Sequence, residues 1–157
     1  MTMANESLAA VLEREHREID EGIERFAAEP SSFEAARSLA AAIALLRRHI
    51  YLEEEFVFPA LSGGGLVAPI FVMLREHERI WQRLDGLERQ VDTGAQAPVT
   101  LEICHLLLVQ LQHHNVKEDR ILYPEADRVL APDLGARLAD LEQFPMPAGW
   151  VCIRARA

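Results

Sequence analysis

Apolar residues recur at spacings of three and four in four separate stretches of this 157-residue chain, each long enough for a helix of several turns. The first runs from about Ser7 to Ala28, through Leu8, Leu12, Ile19, Ile23 and Phe26. Ser7 suits the N-cap, and Pro30 stops the helix. The second runs from Ser32 to about Phe58, through Leu39, Ile43, Leu46, Ile50 and Val57, and ends at Pro59 and the Ser62–Gly65 run SGGG. The third covers Val67 to Val91, through Ile70, Leu74, Ile80, Trp81, Leu84 and Leu87, and the loop DTGAQAP follows. The fourth runs from about Val99 to Tyr123, with Leu107, Leu111, Ile121 and Leu122 in its stripe. Isolated helices are marginal in water, so each stripe must be buried against the others. No strand alternation is seen. The expected fold is all-α: an up-down-up-down antiparallel four-helix bundle with a short C-terminal helix in DLGARLADLEQF and an irregular tail, PMPAGWVCIRARA. One domain is expected over residues 1–157, with the bundle at about 7–124 and a C-terminal extension at 125–157.

Composition narrows the function. Sixteen basic against 25 acidic residues give a formal charge of -9, the wrong sign for nucleic acid or an anionic membrane surface. No apolar run is long enough to span a bilayer. The N-terminal MTMANESLAA lacks the basic and apolar regions of a secretory signal, so a cytoplasmic location is expected. Cys104 and Cys152 fit no ligand motif and imply no disulfide framework.

The stripes carry polar residues that an apolar core should exclude. His16 lies four after Leu12, His49 three after Leu46, His77 three after Leu74 and His114 three after Leu111. Each helix thus supplies one inward histidine. Residues four apart share a face, so His49 with Glu53, and His114 with Glu118, point at one place. Burying an unpaired carboxylate costs several kcal/mol, and two side by side repel. Four imidazoles and two carboxylates converging in a core call for a cation. The alternatives are a solvated cavity or His–Glu pairs without metal. Imidazole and carboxylate without thiolate suit Fe, Mn or Zn. Six ligands exceed one tetrahedral zinc and fit two ions bridged by Glu53 and Glu118, with an open position on each.

Other residues are placed by the same spacing. His105 falls on nearly the opposite face from His114, and His113 about 100° off the stripe. Glu54 is also about 100° off and is expected on a solvated face. Gln110, four before His114, points inward, where it would bond a ligand or bound water, or sit at the boundary. Trp81 fills volume beside the site. Tyr51 points away, and Tyr123, five after Glu118, is poorly placed for ligation. Cys104 is a buried small residue, and Cys152 lies in the tail.

The chain also echoes itself. REHREID around His16 is repeated as REHERIW around His77, 61 residues later; RRHIYLEEEFVFP around His49 is matched by QHHNVKEDRILYP around His114, 65 later. Two similar helical hairpins with pseudo-two-fold symmetry are expected.

These motifs resemble the hemerythrin-like, or HHE cation-binding, family from about Ala9 to Pro124: REH at His16, HIYLEEEFVFP from His49, REH at His77 and HNVKEDRILYP from His114. The resemblance implies a non-haem diiron centre, two Fe ions with an oxo or hydroxo bridge, held by His16, His49, Glu53, His77, His114 and Glu118. Oxygen-carrying members place a further histidine four after the third-helix histidine, where this chain has Trp81. It is more similar to bacterial and regulatory branches. The expected function is binding or sensing of O2 or a related small oxidant such as peroxide or nitric oxide. Two alternatives are a diiron redox enzyme (peroxidase, oxidase or nitric-oxide reductase) and a protein of iron storage or iron-centre repair. A protein partner or homo-oligomer would serve a sensing role.

Overall fold

The computed structural model describes residues 6–92, 97–140 and 142–156, and no strand occurs among them. Most of the loop expected at DTGAQAP lies outside the described residues. Helix α1 spans Leu8–Ala28, α2 Phe33–Leu52, α3 Phe58–Leu61, α4 Val67–Asp92, α5 Ala97–Lys117, α6 Tyr123–Val129 and α7 Leu134–Ala139. A π-helical turn, Glu53–Val57, joins α2 to α3, and a second, Glu118–Leu122, joins α5 to α6. A 3-10 turn at Ile153–Ala155 lies near the C-terminus. The long helices form a bundle. None of the described helices is long and apolar enough to cross a membrane.

Local chemistry explains the boundaries. The Ser7 side chain accepts from the Ala10 N–H at 3.1 Å and Ser32 from Ala35 at 3.2 Å. Such caps are worth about 1 kcal/mol each. Pro59 and Pro124 sit just after the π turns, where a proline has no N–H to give and its ring crowds the carbonyl four residues back. Widening each turn answers this: the N–H of Phe58 reaches Glu53 and that of Tyr123 reaches Glu118, both five residues back.

The wide turns also correct the expected facing. The extra residue rotates the helix beyond it, so Ile121, placed in the buried stripe by regular α spacing, is 45% exposed, while Leu122 and Tyr123 are buried. Helix also continues past the expected bundle end at Pro124, to Val129.

Helices α1 and α2 pack closely at Gly22. A Cβ there would meet Ala42 Cβ at 2.7 Å and the Ser38 carbonyl at 2.9 Å, so only glycine permits this approach. The core falls into two apolar clusters. One contains Ile19, Ile23, Leu39, Leu46, Ile80, Leu84 and Leu107. The other contains Leu8, Leu12, Leu52, Phe58, Met73, Leu122 and Tyr123. On α1, α2 and α4, and on α5 together with the π turn that follows it, the inward histidine stands between residues of the two clusters, making a polar layer inside the core.

The C-terminal extension packs on the bundle. Arg48 donates from Nε to the Phe144 carbonyl at 3.1 Å and from Nη2 to that of Asp140 at 3.4 Å. Trp150 meets Trp81 edge-on, ring centroids 5.5 Å apart. Cys152, placed by sequence only in an irregular tail, is fully buried in the first cluster, and burial pushes its thiol up to about 12.

Candidate metal centre

Six side chains expected to converge do meet in the polar layer. Glu53, His77 and Glu118 have no exposed surface, and His16, His49 and His114 are buried. His49 Nε2 is 3.3 Å, and His77 Nε2 3.6 Å, from Glu53 Oε1. His114 Nε2 is 3.1 Å, and His16 Nε2 3.4 Å, from Glu118 Oε1. Each glutamate therefore lies between histidines from two different helices. Two sets of donors are close enough to share an ion: Glu53, His77, His114 and Glu118, and His16, His49 and Glu118.

The polar inventory shows that the site fits a cation. Glu53 Oε1, both oxygens of Glu118 and His77 Nε2 are buried without a hydrogen-bond partner. Such groups are costly unless something compensates them. Burial, and then the charge of Glu118, push the Glu53 carboxyl up. Burial also works against Glu118, but His114 and the other neighbours outweigh it and hold that carboxyl well below its usual range. A cation between the pair would let both ionise.

Outside this layer each of the four inward histidines faces a carboxylate with its other nitrogen. His77 Nδ1 is 2.8 Å from Glu54 Oε1, His114 Nδ1 2.8 Å from Glu76 Oε2, and His49 Nδ1 3.3 Å from Glu15 Oε2. His16 Nδ1 lies 3.2 Å from Asp119 Oδ1, within ion-pair reach though outside hydrogen-bond geometry. With Nδ1 facing a carboxylate, each Nε2 is turned inward, where it would bind a metal once its proton is lost. In the absence of metal, burial lowers the His16 and His77 pKa values, but the carboxylates outweigh it and raise both to about 10.

These pairs close a ring around the bundle. The residue before each early histidine, Glu15 or Glu76, serves the next long helix. The residue after each inward glutamate, Glu54 or Asp119, serves the one after that. The repeated REH and EE/ED doublets, at offsets of 61 and 65, are the sequence signal for this outer layer.

Several placements differ from expectation. Glu54 is 3% exposed rather than solvated, because its second oxygen also accepts the Ile153 N–H of the tail, at 2.7 Å. Gln110 does not serve the site: its Oε1 accepts from Arg83 Nε at 2.7 Å, a charge-assisted bond at the helix seam. Tyr123 is not peripheral. Its hydroxyl lies 3.1 Å from both His16 Nε2 and His49 Nε2, and 3.0 Å from Glu53 Oε2. Five residues is about 140° off at α spacing but close to one turn of a π helix, which is why spacing alone missed it. Trp81 fills volume near the site, with the Arg47 guanidinium 4.4 Å over its ring. His105 and His113 are exposed. A polar surface depression lined by Glu13, Arg17, Asp20 and Asn115 reaches His16.

A helical bundle enclosing a carboxylate–imidazole cluster defines a metal-binding helical domain. The Hemerythrin HHE cation binding domain model matches residues 7–126, and the chain belongs to this family. Among curated proteins it is similar to the iron-sulfur cluster repair proteins YtfE of Yersinia pestis (strain Pestoides F) and Yersinia pseudotuberculosis serotype O:1b (strain IP 31758). Each is 28% identical over 103 residues, 59% of this chain and 47% of the relative. The chain thus spans about half the length of the curated relatives it matches. No solved structure matches it.

Proposed function

We propose that this chain is a single-domain non-haem diiron protein whose metal pair binds or senses O2 or a related small oxidant. His16 and His49 would hold one iron, His77 and His114 the other, with Glu53 and Glu118 between them. The observation that carries this reading is the convergence of four imidazole nitrogens on two buried carboxylates, three of whose four oxygens have no hydrogen-bond partner. Two adjacent irons would supply redox-active Lewis-acid centres. The protein's own part is to fix the imidazoles through the outer carboxylates, keep the carboxylates dry and limit access. The up-down-up-down topology is part of the same reading. Along α1 and α4 the chain passes from the second apolar cluster to the first, and along α2, and along α5 with the π turn after it, it passes back. A cytoplasmic location accords with the two free cysteines.

A second reading, iron-centre repair, is favoured by the similarity to YtfE. The chain would then give up iron to a partner protein. One experiment separates the two. Iron-loaded, anaerobically reduced protein is exposed to O2, then returned to anaerobic buffer, with optical spectra at each stage. A parallel sample is mixed with an iron-depleted iron–sulfur protein. A spectrum that reverses, with iron retained, supports binding or sensing. Transfer of iron to the acceptor supports repair. Metal-loaded protein unchanged in both assays overturns both and leaves a structural bundle.

A further inference from the structure

The two π turns place equivalent aromatic rings against the site. Phe58 and Tyr123 each follow the inward glutamate by five residues and precede a proline, 65 residues apart in the two repeats. The Phe58 ring stacks on His77, centroids 5.6 Å apart and planes at 16°. The Tyr123 ring stacks on His16 at 5.5 Å and 25°. Phenylalanine at 58 shows that packing needs only a ring. The one chemical difference between the two positions is a hydroxyl, and it is aimed into the cluster.

That hydroxyl faces Glu53 Oε2 at 3.0 Å and two imidazole nitrogens at 3.1 Å. A phenol meets all three only by donating to the carboxylate and accepting from both imidazoles, which requires a proton on each Nε2. The distances have a second meaning. With bonds of about 2.1 Å, adjacent donors on one six-coordinate ion stand about 3.0 Å apart. The Tyr123 oxygen stands at that separation from both imidazole nitrogens of the His16/His49 set and from Glu53 Oε2 between the two sets.

We infer that Tyr123 is a further metal ligand, its oxygen completing the position held by His16 and His49. This rests on the diiron reading above. Coordination replaces the Tyr123 O–H bond with an oxygen–metal bond, and the proton leaves to solvent. The two metal positions are then unequal. The His16/His49 position carries a protein oxygen that its counterpart lacks, and the open coordination falls at the His77/His114 position.

The test reads the ligand directly. The full chain is loaded with ferrous iron and oxidised with ferricyanide, which takes one electron from each iron. Visible absorption and resonance Raman spectra are recorded, and iron is counted by elemental analysis. The expected result is a visible phenolate-to-iron(III) band with enhanced tyrosine ring modes. Tyr123→Phe should lose both while keeping its iron and its helical circular dichroism. The chain has two tyrosines, and the other, Tyr51, packs on Phe56 and Trp150, so the signal has one source. The wild-type Raman spectrum decides even if Tyr123→Phe fails to fold. Two bound irons without a phenolate signature overturn the Tyr123 assignment and leave the diiron reading standing. A wild-type chain that takes up no iron overturns both.

Discussion

Glu54 Oε1 stands 2.8 Å from His77 Nδ1, with both side chains out of solvent. The same carboxylate accepts the Ile153 N–H at 2.7 Å, so one side chain joins an inward histidine to the C-terminal extension. Its neighbour Glu55 is exposed and meets the tail, through Trp150 and Arg156. Removing an outer carboxylate from a metal-ligating histidine typically weakens metal binding by about 10- to 100-fold. Glu54→Gln should show a loss of that size in chelator competition, and Glu55→Gln should bind as wild type. Equal behaviour of the two variants would contradict a role for Glu54 in setting His77.

The close packing of α1 on α2 gives a second expectation. Alanine at 22 would gain about 1 kcal/mol of helix propensity but overpack against Ala42 and the Ser38 backbone, which costs about 1–3 kcal/mol. Gly22→Ala should lose stability by about 1 kcal/mol in urea unfolding. Gly63→Ala, with nothing within 4 Å of its added Cβ, should stay within about 0.5 kcal/mol of wild type.

Asp20 gives the pH dependence. Burial raises its pKa from 3.8 to about 6, and its Oδ1 has no hydrogen-bond partner. Between these values the native state binds more protons than the unfolded state. Stability from this group therefore falls as pH rises from about 4 through 6, and the penalty is complete above that. Asp20→Asn should have a higher Tm than wild type at pH 8, with the gap narrowing towards pH 4. A gap that does not change with pH would contradict the assignment.

How much of this was legible in sequence depended on helical regularity. The inward histidines lie on regular α-helical stretches, so counting from Leu12, Leu46, Leu74 and Leu111 placed them. The structure brings them to Glu53 and Glu118. Counting failed in part beyond Glu118, where the segment widens into a π turn: Ile121, placed inward, is exposed, and Tyr123, poorly placed for ligation by α spacing, faces the cluster, whereas Val57 and Leu122 are buried as expected. Glu54 was misplaced for another reason. It is buried by the tail, whose docking depends on long-range contacts such as Ile153 on Glu54 and Trp150 on Trp81. No local periodicity encodes those contacts. The outer carboxylates Glu15, Glu76 and Asp119 were present in the repeated doublets, but their partners lie on other helices and needed the packed bundle to be seen.

The central claim is a two-metal centre, and the metal content of the purified chain tests it most directly. Protein prepared without added zinc, then reconstituted anaerobically with ferrous iron and desalted, should hold two irons per chain by elemental analysis. His114→Ala and Glu118→Ala should lower that number. One zinc per chain, or no metal with the helices still folded, would contradict the claim.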